Sequence, residues 1–173
     1  MIRLLHVESL TLQQFKDDDC PPYVILSHRW AEDPSDEVVY DDMANFHELC
    51  QSRLWKKARS AAKIVGACQK VLEEGIHYLW LDTVCIKQDN PMELSTAINS
   101  MYRLYSNAEV CLAYLADYPS AEVQTLCQSD WFNRGWTLQE LVAPMVVKFF
   151  DKEWGSMGDK AAIVRRADTP NPY

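Results

Sequence analysis

The sequence predicts an open, mainly parallel α/β sheet with helices on both faces. Three observations carry that expectation. The short apolar runs at residues 23–28, 77–83 and 109–115 do not alternate apolar with polar, as expected for strands covered on both faces. Between them lie stretches with helical spacing, Ala61, Val65, Cys68 and Leu72 in one, Leu94, Ile98, Met101 and Tyr105 in another. The order strand, helix, strand, helix is that of crossover connections between parallel strands.

The elements follow in order. Residues 2–7 read as a short strand, and residues 17–22, with three Asp and two Pro, as a turn. Residues 23–28 are rich in β-formers and read as a buried strand. Residues 31–37 are acidic, contain Pro34 and form a loop, and residues 41–51 read as a short helix. The clearest helix spans 54–74 and stops at Gly75. A strand at 77–83 comes next. Asn90 then has the chemistry of an N-cap, with Pro91 at the first helical position and Glu93 placed to close a capping box. Residues 109–115 are the next strand, 120–129 and 131–142 helices, 146–150 a strand and 158–166 a final helix.

Composition bounds the function. The chain has 173 residues, 48% hydrophobic and 24% charged, enough for one domain with a real core. Its net charge of -8, from 25 acidic and 17 basic side chains, argues against a long polyanion such as nucleic acid held along the surface. It leaves room for a mononucleotide in a local pocket. Cys20, Cys50, Cys68, Cys85, Cys111 and Cys127 are scattered without a C-x-x-C, so no structural zinc site is expected. Residues 1–8 are not a signal peptide and no apolar run approaches a membrane span. A reduced, cytoplasmic compartment is the default expectation.

Candidate site residues gather where such sheets bind ligands, beyond the carboxyl ends of the strands. Ser27, His28, Arg29 and Trp30 lie at one such end, Asp82, Thr83 and Cys85 at another. Asp82 reads either as a loop cap or as a carboxylate that accepts ribose hydroxyls. His28 and Arg29 read as surface residues or as partners of a phosphate or carboxylate. Cys85 reads as structural, with a nucleophile as the alternative. The segment 134–140 puts Trp136 and Glu140 four residues apart on a helical run, hence on one face. Trp136 is expected to pack mostly into the core and Arg134 to pair with an acid or a ligand. Trp30 and Trp136 are the indoles placed to stack on a planar ring.

Three blocks carry a resemblance: Pro22-Tyr23-Val24-Ile25-Leu26-Ser27-His28-Arg29-Trp30, residues 78–89 from Tyr78-Leu79-Trp80-Leu81-Asp82 to Lys87-Gln88-Asp89, and Arg134-Gly135-Trp136-Thr137-Leu138-Gln139-Glu140. Together with Arg3-Leu4-Leu5, Asp41-Asp42-Met43 and Tyr105-Ser106-Asn107-Ala108, they resemble the HET (heterokaryon incompatibility) domain of filamentous fungi. Ala31 stands where that family usually has Gly, and His28 where it often has Tyr. The resemblance implies a single domain over 1–173, either a short member or an excised piece. It implies nonself recognition leading to cell death, a form of fungal innate immunity. The family is distantly similar to TIR domains, which implies a three-layer, TIR- or flavodoxin-like architecture. Residues 136–141 resemble the plant TIR run whose Glu is catalytic in NAD cleavage, and Glu140 is the matching position.

Two functions follow as expectations. In the first, Glu140 is the catalytic carboxylate of an NAD-type nucleotide site. Ser27, His28, Arg29, Trp30, Asp82, Cys85, Arg134 and Trp136 would line that site, with NAD as substrate and no cofactor or metal required. Glu140→Gln would then remove activity and leave stability nearly unchanged. In the second, the domain signals by self-association without catalysis. The first needs Glu140 and Asp82 to face one open cleft; the second allows Glu140 to be buried and paired.

Overall fold

A computed structural model of the chain describes residues 1–52, 56–118 and 129–161. Seven strands form one mixed sheet: β1 (Ile2–His6), β2 (Thr11–Phe15), β3 (Val24–His28), β4 (Tyr78–Trp80), β5 (Val110–Tyr114), β6 (Val147–Phe150) and β7 (Ser156–Asp159). The helices are α1 (Phe46–Cys50), α2 (Ala58–Glu73), α3 (Asp82–Cys85), α4 (Pro91–Ser106) and α5 (Thr137–Val142).

The sheet order is β2-β1-β4-β3-β5-β6-β7. The centre, β4-β3-β5-β6, is parallel, with Ile25 beside both Trp80 and Cys111. The expected parallel trio of residues 23–28, 77–83 and 109–115 is therefore present, with β3 in the middle. Antiparallel strands close both edges. The chain steps from β3 to β4 in one direction and from β4 to β5 in the other. Right-handed crossovers thus place α2 and α4 on opposite faces. β3 and β5 are buried along their whole length. Ile64, Ala67 and Val71 of α2 pack into the core, and Tyr105 of α4 meets the Trp80 ring edge-on.

Several elements depart from the sequence reading. β2, Thr-Leu-Gln-Gln-Phe, is an outer edge strand with little burial, so no apolar pattern marks it. It turns back from β1 through Leu10, whose φ of 54 is left-handed. The strand expected over 77–83 stops at Trp80, because Asp82 opens the single turn α3. The helix expected over 131–142 is broken. Asp130–Asn133 is a 3-10 turn, Arg134 is extended, and α5 starts only at Thr137. Gly158 and Asp159, expected in a helix, belong to β7, where Gly158 takes a φ of 105 that a side chain would resist. The helix expected over 120–129 falls almost wholly outside the described residues, as does the end of the one expected over 158–166.

The start of α4 holds as read, with one change. The Asn90 side chain accepts from the Met92 and Glu93 N–H groups, and Pro91 opens the helix. Glu93 does not close a capping box. Its carboxylate accepts from Arg3 at 2.6 Å and from the Lys87 N–H at 2.9 Å.

Candidate functional site

The carboxyl end of β3 delivers Ser27 and His28 into the interior, both buried. Ser27 is a junction between chain segments. Its hydroxyl donates to Glu140 Oε2 at 2.5 Å and accepts from the Trp131 indole N–H at 2.7 Å. Glu140 lies on the inner face of α5 and is buried. Arg134 grips it with two nitrogens, at 2.9 and 3.2 Å. The extended backbone at Arg134 lets the guanidinium reach forward onto α5, and so the helix break serves the pair.

A second ion pair lies beside the first. Glu37, at the end of the 31–37 loop, accepts from Ser60 Oγ at 2.5 Å, from Lys63 Nζ at 2.7 Å and from the Ala31 N–H at 2.6 Å. Glu37, Ser60 and Lys63 are all buried. The loop is thereby tied to itself and to α2.

His28 stands between Glu37 and Asp82. Its Nε2 is 4.0 Å from Glu37 Oε1 and 3.9 Å from Asp82 Oδ1. Neither ring nitrogen makes a well-formed hydrogen bond among the described residues, although the Leu26 backbone lies near enough to favour the protonated ring. Burial, with the nearby charges of Lys63 and Arg134, drives the imidazole well below its ordinary range, so it is neutral. Asp82 accepts from the Trp30 indole N–H at 2.9 Å through Oδ2. Burial pushes its carboxyl up to about 6, against the Trp30 hydrogen bond and the Arg134 charge. Trp30 is itself partly exposed, so this corner of the cluster reaches the surface.

The fold thus brings together Ser27, His28, Trp30, Asp82, Arg134 and Glu140. It places the other three candidates elsewhere. Arg29 pairs with Asp130 at the surface. Cys85 is buried, its thiol pushed up to about 12 by burial, 3.8 Å from the Leu79 carbonyl. It lines a separate cavity of about 630 Å3 under α4, with Arg3, Trp80, Glu93 and Arg103. None of Ser27, His28, Asp82 or Glu140 lines that cavity. Trp136 is 46% exposed, which overturns its expected place in the core. The broken helix explains this: Trp136 caps α5 from outside, while Trp131 in the preceding turn fills the core at 1% exposure.

Sequence reasoning missed Glu37, Ser60, Lys63 and Trp131. One signal was present. Lys63 sits three residues after Ser60 and four before Ala67, on the stripe that α2 buries. A lysine on that stripe calls for a buried carboxylate. Among the described residues no group of three His, Cys, Asp or Glu is arranged to hold a metal ion, and no helix is long and apolar enough to cross a membrane.

Comparison with known proteins covers the first two motif blocks, residues 23–30 and 78–89, while the block 134–140 lies beyond the family match. The family model described as "Heterokaryon incompatibility protein (HET)" matches residues 23–125. The vegetative incompatibility protein HET-E-1 of Podospora anserina is 37% identical over an alignment of 155 positions that covers 84% of this chain and 11% of that protein. The chain therefore spans a small part of its relative's length. No solved structure matches. Family match and relative agree, and the chain belongs to the heterokaryon incompatibility (HET) family.

Proposed function

We propose that this chain is a cell-death effector module of fungal nonself recognition, and that the cluster at the carboxyl edge of β3 is its working site, acting on an NAD-type nucleotide. The observation that carries the reading is His28. A buried imidazole without a well-formed hydrogen bond at either nitrogen is costly, and such groups concentrate where a ligand or a bound water completes the site. The Asp82 carboxylate lies 3.9 Å from its Nε2 and accepts from the partly exposed indole of Trp30. That is a stacking surface beside a negative charge, suited to a planar cationic base. Cleavage of a glycosidic bond passes through an oxocarbenium-like state that a fixed carboxylate stabilises.

The geometry refines two roles. Ser27 has committed its hydroxyl to Glu140 and Trp131 and serves as a frame for the site, not as a ribose contact. Glu140 is buried and paired, so Glu140→Gln is not expected to be silent for stability. It leaves the half-buried Arg134 guanidinium without its countercharge, at a cost of about 2–4 kcal/mol. The test is nicotinamide release from NAD by concentrated protein. Wild type is expected to release nicotinamide, and Glu140→Gln to lose both activity and thermal stability. Absence of release by the wild type at every protein concentration would end the nucleotide reading.

A second reading, signalling by self-association, has its own observation. Leu138 at 72%, Val142 and Met145 at 85% exposure recur at helical spacing along α5 and the turn after it, with the exposed Trp136 at its start. Glu140 is buried, paired with Arg134 and, among the described residues, faces no open cleft, which departs from the expectation for a nucleotide site and is what a non-enzymatic module allows. Sedimentation separates the readings. Assembly without nicotinamide release, abolished by Leu138→Glu, would favour the second.

A further inference from the structure

We infer that Asp82, not Glu140, is the general base of the site, and that His28 and Asp82 together hold the attacking water. The inference rests on the nucleotide-cleaving reading and names the residue that handles its proton. Three carboxylates stand in the cluster, and two are spoken for. Glu140 has Arg134 on both oxygens and the Ser27 hydroxyl on one. Glu37 has Lys63 and Ser60 on one oxygen and the Ala31 N–H on the other. Asp82 has a single indole N–H on Oδ2. Its Oδ1 faces the neutral His28 ring, so its charge is the one in the cluster left unmatched by a cation.

The spacing suits a water. His28 Nε2 and Asp82 Oδ1 are 3.9 Å apart, too far for a direct hydrogen bond and close enough for one oxygen to reach both. The neutral ring presents Nε2 to that oxygen, as donor or as acceptor according to its tautomer. Asp82 accepts one of its protons. The groups that face Asp82 from the surrounding elements are His28 of β3, Lys63 of α2, and Arg134 and Glu140 around α5. Desolvation among them raises its carboxyl to about 6, near the value at which a base works at neutral pH.

The step balances. The water oxygen bonds to the anomeric carbon while the carbon–nitrogen bond breaks, and its electron pair leaves on the base. For a pyridinium base that pair cancels the ring's positive charge, so the base departs neutral. The water proton passes to Asp82 Oδ1 and then to solvent. The products are the free base, the ribose hemiacetal and one proton, with no oxidant or reductant.

The test is the pH profile of nicotinamide release from NAD by wild type, Asp82→Asn and Trp30→Phe, each checked for its melting temperature. Wild type should show an acid limb with a midpoint near pH 6. Asp82→Asn should lose about 100-fold or more in rate and keep its fold, since its amide oxygen still accepts from Trp30. Trp30→Phe removes the hydrogen bond that favours the Asp82 carboxylate, so its acid limb should move to higher pH. An Asp82→Asn rate within a few-fold of wild type, with the same acid limb, overturns the inference and leaves the nucleotide reading standing. A wild type that releases no nicotinamide overturns both. If Asp82→Asn does not fold, Trp30→Phe decides, and an unmoved acid limb overturns the inference.

Discussion

Trp131→Ala is expected to destabilise the folded chain by about 3–5 kcal/mol, and Trp136→Ala by less than about 1 kcal/mol. Trp131 is almost fully buried. Its ring meets Phe132 at 4.8 Å and Phe149 at 5.7 Å, both edge-on, so truncation opens a cavity among aromatics that cannot close over it. Its N–H also fixes the Ser27 hydroxyl that donates to Glu140. Loss of the indole therefore loosens the site as well as the core. Trp136 has nearly half its surface in solvent and little to lose by truncation. Urea unfolding of the two variants measures the difference. Equal costs would mean that the two tryptophans share the core.

Lys63→Met is expected to cost about 3 kcal/mol or more, because it strands the Glu37 carboxylate in the interior without a cation. The Ser60 hydroxyl and the Ala31 N–H still reach that carboxylate and hold the loss to the lower part of the range for broken buried pairs. The 31–37 loop is held by the same carboxylate, so it should also become more open to protease. Adding Glu37→Gln should restore part of the stability by removing the stranded charge, an interaction visible in a double-mutant cycle. A double variant no more stable than Lys63→Met alone would show that the ion pair is not the cause.

Much of the fold was legible because its signals are local. The runs ending in Ser27-His28 and Trp80-Leu81 are continuous apolar strands, and only a sheet covered on both faces explains that pattern. Asn90-Pro91 announces α4 by cap chemistry alone. What escaped depends on context. Thr-Leu-Gln-Gln-Phe becomes β2 only because β1 offers it an edge. The break at Arg134 is marked locally only by Gly135, which a helical pattern tolerates, and without that break Trp136 rather than Trp131 takes the inward position. In the site, strand-end placement brought Ser27, His28 and Asp82 to one edge, and the helical run after Arg134 brought Glu140 to it. Glu37 was illegible for a plain reason: an acidic loop residue looks solvated until Lys63 on the buried face of α2 is seen to need it.

The carboxyl edge of β3 as the ligand site is tested most directly by titrating NAD into the protein and following the tryptophan indole N–H signals by NMR. The Trp30 signal should move saturably, since its ring flanks Asp82 and its N–H bonds that carboxylate. Trp80, which lines the cavity under α4, should stay in place. A Trp80 shift with Trp30 unmoved, or no shift at all, would contradict the assignment of the working site to this edge.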